Sequence, residues 1–143
     1  MTEVNHSVLQ DIQLSQGGAF VDYGAWSWAS TFGDVALEFR AIREGACLWD
    51  VYALQKWDVT GSDAVLAIQR VFSNAIGSMA VGQVRYGAFV NAEGAMTDDG
   101  TVYRLENDRL WVMTNADDFD VTNARHFEGL DVRLVNRTAE MPL

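Results

Sequence analysis

Two adjacent carboxylates, Asp98 and Asp99, lie within the sequence NAEGAMTDDGTVYRL, between segments that are typical of β-strands. Aspartate is disfavoured in strands, and two neighbouring carboxylates repel each other unless water, a donor or a ligand separates them. The pair therefore belongs either to a solvated turn or to a functional site. In a site, such a carboxylate would accept a proton or orient an amine.

Aromatic residues in the neighbouring strand-like segments support the interpretation as a functional site, because they could form the walls of a pocket. A hairpin with Gly94 at its turn and Gly100 on the returning strand would leave the backbone near Asp98 open to a ligand. Tyr86, Tyr103 and Trp111 would then wall a pocket around that carboxylate. Asp-Asp-Gly is also an ordinary turn composition, so spacing alone leaves both interpretations open.

Other chemistries have less support in the sequence. His6 and His126 are far apart and have no cysteine or acidic residue at ligand spacing, so we predict no metal site. Cys47 lies in an apolar stretch without a neighbouring histidine, which predicts a buried core thiol rather than a nucleophile. The glycines do not form a phosphate-binding loop between a strand and a helix.

The elements that must position the carboxylates follow from hydrophobic periodicity. Helical spacing predicts an amphipathic helix over residues 34–46, and residues 47–51 are predicted to form a buried strand or core crossing. Further strands are predicted at 56–60, 84–90, 101–105, 110–114 and 130–135, with helices at 62–74 and 117–127. The order β-α-β-β-β-α-β predicts an α+β fold, with a mainly antiparallel sheet and helices packed on one face.

Length and composition predict one domain with an N-terminal arm. The 143 residues are 49% hydrophobic and 21% charged, which is typical of a soluble globular chain with a real core. We expect residues 1–18 to form an arm or a short first helix, and residues 19–143 to form a single α+β domain.

Charge and cysteine content bound the partners and the compartment. The formal net charge of -10, without a basic patch, disfavours binding to nucleic acid or to an anionic membrane surface. A single cysteine excludes an internal disulfide and fits a reducing compartment. The polar N-terminus lacks the features of a signal peptide, so a cytoplasmic protein is expected.

Four segments together resemble a known family. They are FVDYGAW (20–26), LEFRAIREGACLWDV (37–51), VTGSDAVLAIQRVFSNAIGSMAVGQVRYGAFVNAEGAMTDDGTVYRL (59–105) and LWVMTNADD (110–118). In order and spacing they resemble the N-terminal portion of the aminomethyltransferase family, the glycine-cleavage T-protein, and its folate-dependent demethylase relatives. The similarity covers roughly residues 18 to 128.

The resemblance implies a tetrahydrofolate-dependent one-carbon transfer. It implies that Asp98 is the catalytic carboxylate beside the folate nitrogens, and that Asp99 is its structural neighbour. Tyr86 and Asn115 match family positions that line the same channel. Tyr103 and Trp111 are added as cofactor-binding candidates because their strands are adjacent.

Two departures from the family pattern shape the hypothesis. Asp50-Val51 is followed by Tyr52-Ala53-Leu54, where glycine-cleavage members carry Ser-His-Met, so the chain is closer to the demethylase branch. Family members are also more than twice as long. We therefore expect a small subunit or split half of a methyltransferase or demethylase acting on an N-, O- or S-methyl donor, completed by a second chain or by self-association. Two alternatives are a stand-alone half-domain that uses Asp98 as a general base on another small molecule, and a non-catalytic scaffold.

Overall fold

The computed structural model describes residues 4–141, which form two compact units divided between Ala53 and Leu54. The first unit contains α1 (Gln10–Ser15), β1 (Ala19–Tyr23), β2 (Trp26–Thr31) and α2 (Val35–Glu44). The second contains β3 (Gln55–Thr60), α3 (Ala64–Val71), β4 (Val84–Val90), β5 (Met96–Arg104), β6 (Arg109–Thr114), α4 (Phe119–Phe127) and β7 (Arg133–Asn136). The arm over residues 1–18 and the domain over 19–143 stay predictions.

The first unit combines a predicted helix with an unpredicted hairpin. The carboxylate of Asp34 accepts hydrogen bonds from the backbone N–H groups of Ala36 and Leu37, so it caps the start of α2. The helix predicted for this region is thereby confirmed. Strands β1 and β2 pair antiparallel, and hydrophobic periodicity did not predict them.

The segment between α2 and β3 differs from its prediction. Residues 47–51 have no regular structure, and Leu48 and Trp49 are 91% and 74% exposed. Cys47 is also exposed, so the expectation of a buried core thiol was wrong. An apolar run without a partner strand does not by itself produce burial, because the burial depends on what packs against it.

The second unit has the predicted α+β architecture. Its five strands form one sheet in the order β4-β5-β6-β3-β7, and every neighbouring pair is antiparallel. The observed element order β3-α3-β4-β5-β6-α4-β7 is the predicted one. In the described part of the chain, no helix is both long and apolar enough to cross a membrane.

One face of this sheet packs on the two helices. Val59, Val102, Leu110 and Val112 alternate along their strands with more exposed residues, as expected when one face is buried. Trp57 belongs to the same core, although its neighbour Lys56 is also fully buried. The core cluster also contains α3 and α4 side chains, namely Ala64, Ala67, Ile68, Val71, Phe119 and Phe127. The helices therefore lie on one face and leave the opposite face of the sheet uncovered by them.

The hairpin that carries the paired carboxylates begins its return strand earlier than predicted. The turn contains Gly94, whose φ of 79° lies in the left-handed region that favours glycine. Strand β5 then starts at Met96 rather than at Thr101. Asp98 and Asp99 consequently lie inside a paired strand, with Phe89 and Ala88 as their respective partners in β4.

Candidate functional site

Strand alternation assigns the two aspartates to opposite faces of the sheet, although both carboxylates reach the side-chain amide of Asn115. Successive residues of a strand alternate between its faces, and Asp98 pairs with Phe89, which is fully buried in the core. Asp99 instead bonds to Tyr86, a residue of β4 that is 64% exposed. The pair thus divides into a helix-side carboxylate and an open-face carboxylate.

Asp98 is saturated with hydrogen-bond donors. Its Oδ2 accepts from the backbone N–H groups of Asn115 at 2.9 Å and Ala116 at 3.0 Å. Its Oδ1 accepts from the backbone N–H of Asp99 and from Nδ2 of Asn115, both at 2.8 Å. The carboxylate therefore ties the start of the loop after β6 to the middle of β5.

Asp99 is held by side chains on the open face. It accepts a hydrogen bond from the Tyr86 hydroxyl, and its Oδ1 accepts from Asn115 Nδ2 at 3.1 Å. The hydrogen bond to Asp99, followed by the negative charge of that carboxylate, raises the pKa of Tyr86. Tyr86 thus remains a neutral donor near solvent, and the Asp99 carboxylate, which accepts from two side chains, has acceptor capacity for a further donor.

Asn115 connects the two aspartates. Its Nδ2 contacts Asp98 Oδ1, the backbone oxygen of Asp99 at 3.0 Å and Asp99 Oδ1. The structure therefore brings together Asp98, Asp99, Tyr86 and Asn115, and these include three of the five predicted site residues.

Tyr103 and Trp111 form a separate pair farther along the sheet. They are cross-strand partners in β5 and β6, and Tyr103 is four residues beyond Asp99, or roughly 13 Å along the strand. Trp111 borders a shallow cavity of about 580 Å³ whose lining also includes Asp58, Arg109 and Arg137. The structure does not bring either aromatic ring into the cluster of paired aspartates.

Two features of the second unit could not be predicted from local sequence patterns. The backbone N–H of Ala116 has no side-chain signal, so its bond to Asp98 could not be anticipated. Arg109 forms a two-pronged ion pair with Asp58, at 2.9 Å from Nε and 3.0 Å from Nη2, and their strand positions were the only available signal. Among the residues described, no three or more His, Cys, Asp and Glu side chains are grouped to hold a metal ion.

Comparisons with known proteins identify the family of this chain. The family model described as the GCVT N-terminal domain matches residues 9–143. An aminomethyltransferase of Symbiobacterium thermophilum is 33% identical over 94% of this chain and 38% of its own length. The alpha subunit of a sarcosine oxidase from Rhizobium meliloti is 36% identical over 94% of this chain and 15% of its own length.

A solved structure supports the same fold. The glycine cleavage system aminomethyltransferase T from Bartonella henselae superimposes with a TM-score of 0.79, at 19% identity, over 94% of this chain and 38% of that chain. The chain therefore belongs to the GCVT N-terminal domain family, as its sequence resemblance predicted. It spans about two fifths of the length of the aminomethyltransferases that it matches.

Proposed function

We propose that this chain supplies part of the site of a tetrahydrofolate-dependent one-carbon transfer, with an N-, O- or S-methyl group as the transferred unit. The observation that carries the proposal is the hydrogen-bonded cluster of Asp98, Asp99, Tyr86 and Asn115 in a member of this family. The remaining part of the site would come from a further region of a longer protein, from a second chain or from self-association.

The residues of the cluster fit a reduced folate through their donor and acceptor chemistry. Asp99 offers a carboxylate oxygen to an amine N–H, and the exposed ring of Tyr86 offers a flat surface beside it. When bound, the folate would supply the nitrogen that accepts the one-carbon unit. The carboxylate would orient that nitrogen or take its proton.

The hydrogen bonds favour one division of labour within the aspartate pair. The resemblance assigns the catalytic role to Asp98, and that assignment stays a prediction. Because four donors already surround its carboxylate, Asp98 is better suited to positioning Asn115 and the loop. Asp99 lies on the open face with Tyr86, so we propose Asp99 as the carboxylate that contacts the folate.

Matched variants of the pair test this proposal. Tetrahydrofolate is titrated calorimetrically into the chain alone and into the chain mixed with the C-terminal remainder of the Symbiobacterium thermophilum aminomethyltransferase. We expect Asp99→Asn to weaken tetrahydrofolate binding about tenfold, because one charged hydrogen bond is lost. The free energy of unfolding should change by no more than about 1 kcal/mol.

The same experiment separates the competing assignments. A loss of binding in Asp98→Asn at unchanged stability, with Asp99→Asn binding normally, would restore the role that the resemblance gave to Asp98. If tetrahydrofolate binds neither the chain nor the mixture, the proposed function is wrong.

A further inference from the structure

The first unit contains a cavity that the paired aspartates do not share. Its volume is about 620 Å³, within the range of small-molecule sites, and all of its lining residues lie between Leu9 and Tyr52. Elements α1, β2, α2 and the segment before β3 contribute to its walls. None of the residues assigned to the one-carbon site belongs to this lining.

One residue of the cavity wall, Gln13, carries an unsatisfied polar atom. Gln13 is only 9% exposed, and its Oε1 is buried without a hydrogen-bond partner. Its Nε2 donates to Asp50 Oδ2 at 2.9 Å. A carboxylate only accepts, so the amide cannot be flipped without placing two acceptors together, and Oε1 must remain the free atom.

Asp50 is itself fixed in place. It accepts hydrogen bonds from the Ser7 hydroxyl at 2.5 Å and from the backbone N–H of Tyr52 at 3.1 Å. Because Asp50 is fixed by these contacts, it also fixes the amide of Gln13 that donates to it. A buried acceptor without a donor carries a free-energy cost that a ligand N–H or O–H would remove.

The other lining residues indicate the shape, polarity and charge of such a ligand. Trp28, Trp49, Phe32 and Ile42 give the cavity large flat and apolar surfaces. Its ionisable lining residues include the carboxylates of Asp50 and Glu38. Two negative groups oppose an anion and favour a neutral or cationic molecule.

We propose that the first unit carries a binding site for a small aromatic molecule, neutral or cationic, that donates an N–H or O–H to Oε1 of Gln13. The flat ring lies against the tryptophans, and the donor replaces the missing partner of the glutamine. The acidic wall excludes carboxylates of the same size.

Benzamidine, benzamide and benzoate are suitable probes, because they share a ring and differ in charge and donors. Cys47 is the only cysteine of the chain, is exposed and lies in the cavity wall. Its rate of alkylation by iodoacetamide, measured on the full chain, therefore reports occupancy. We expect saturable protection by benzamidine and benzamide, and none by benzoate.

Two variants and one control identify the contacts. Gln13→Met should weaken benzamide binding about fivefold to tenfold, which corresponds to one lost hydrogen bond. Trp49→Ala should weaken it by removing ring contact, and Trp49 is exposed enough that the fold should survive. Gln10→Met, on the same helix but outside the cavity wall, should leave binding unchanged.

The possible results separate the proposal from simpler explanations. The proposed site does not exist if neither benzamidine nor benzamide protects Cys47 in a saturable way, although the parent chain and Trp49→Ala are equally folded. Equal protection by benzoate would overturn the charge selection. Unchanged benzamide binding in Gln13→Met would remove the glutamine from the site.

Discussion

At the scale of single residues, neighbouring aspartates of identical chemistry acquire different environments. The carboxylate of Asp98 accepts two backbone N–H groups from the loop after β6, whereas Asp99 bonds to the side chain of Tyr86. The difference arises because strand geometry sends adjacent side chains to opposite faces. One carboxylate consequently organises the loop and the other remains available to a ligand.

Stability should distinguish the two aspartates. Asp98→Asn places an amide donor against backbone N–H donors of Asn115 and Ala116, which should lower the free energy of unfolding by about 2 kcal/mol. Asp99→Asn should lower it by less than about 1 kcal/mol, because its partners can reach water. Urea denaturation followed by circular dichroism measures both, and equal losses would contradict the assigned roles.

The tyrosine beside Asp99 should reveal its partner in a pH titration. Because the pKa of Tyr86 is raised, the folded chain retains a proton that the unfolded chain loses above about pH 10. The stabilisation from this hydrogen bond is therefore fully present below pH 10, and it is lost as pH rises through the raised pKa. In Asp99→Asn the pKa of Tyr86 should fall.

Ultraviolet absorbance of tyrosinate provides the measurement. The spectrum of a Tyr86→Phe variant is subtracted, because burial followed by the charge of Asp50 also raises the pKa of Tyr52. An unchanged Tyr86 midpoint in Asp99→Asn would mean that the hydrogen bond does not form in solution.

At the scale of elements, the close approach of β5 to β6 depends on a residue without a side chain. A Cβ at Gly100 would lie 1.9 Å from the backbone oxygen of Met113 and 3.2 Å from the Phe89 ring. No adjustment of a flexible side chain relieves the first contact, because the obstructing atom belongs to the backbone. The spacing that lets Asp98 reach the loop after β6 therefore requires glycine at position 100.

Alanine at this position should separate the two strands. We expect Gly100→Ala to lower the free energy of unfolding by about 3 kcal/mol or more. Gly77→Ala is the matched control, because nothing lies within 4 Å of an added Cβ there. Thermal denaturation of both variants measures the difference. Similar melting temperatures would show that the strands can move apart without loss of stability.

At the scale of the whole molecule, the buried core of the described residues belongs to one unit. Every member of the core cluster lies between Trp57 and Phe127, within the unit Leu54–Met141. The first unit instead has exposed apolar residues such as Leu48 and Trp49. Independent folding is therefore expected of the second unit, since burial of a contiguous core is the main stabilising contribution.

A fragment of residues 54–141 tests this independence. We expect cooperative urea unfolding of the fragment, and we expect the buried Trp57 to emit at a shorter wavelength in the folded fragment than in the unfolded one. Gradual unfolding with solvent-exposed emission would show that residues before Leu54 are needed for the core to form.

The sequence determined the order of elements in the second unit, because hydrophobic periodicity is a local property of the chain. It also determined the family, through segments that retain their order and spacing. Its local patterns missed the β1–β2 hairpin and wrongly predicted burial of Cys47, whose surroundings depend on distant segments.

Only the tertiary structure decided how the two aspartates differ. Because aspartate is disfavoured in strands, the predicted return strand began at Thr101 and left Asp98 and Asp99 outside it. Strand alternation therefore did not enter the prediction for these two residues. The donors to Asp98 come from Asn115 and Ala116, seventeen and eighteen residues away. Contacts at that separation are set by strand pairing and register, which the local sequence pattern around the pair does not contain.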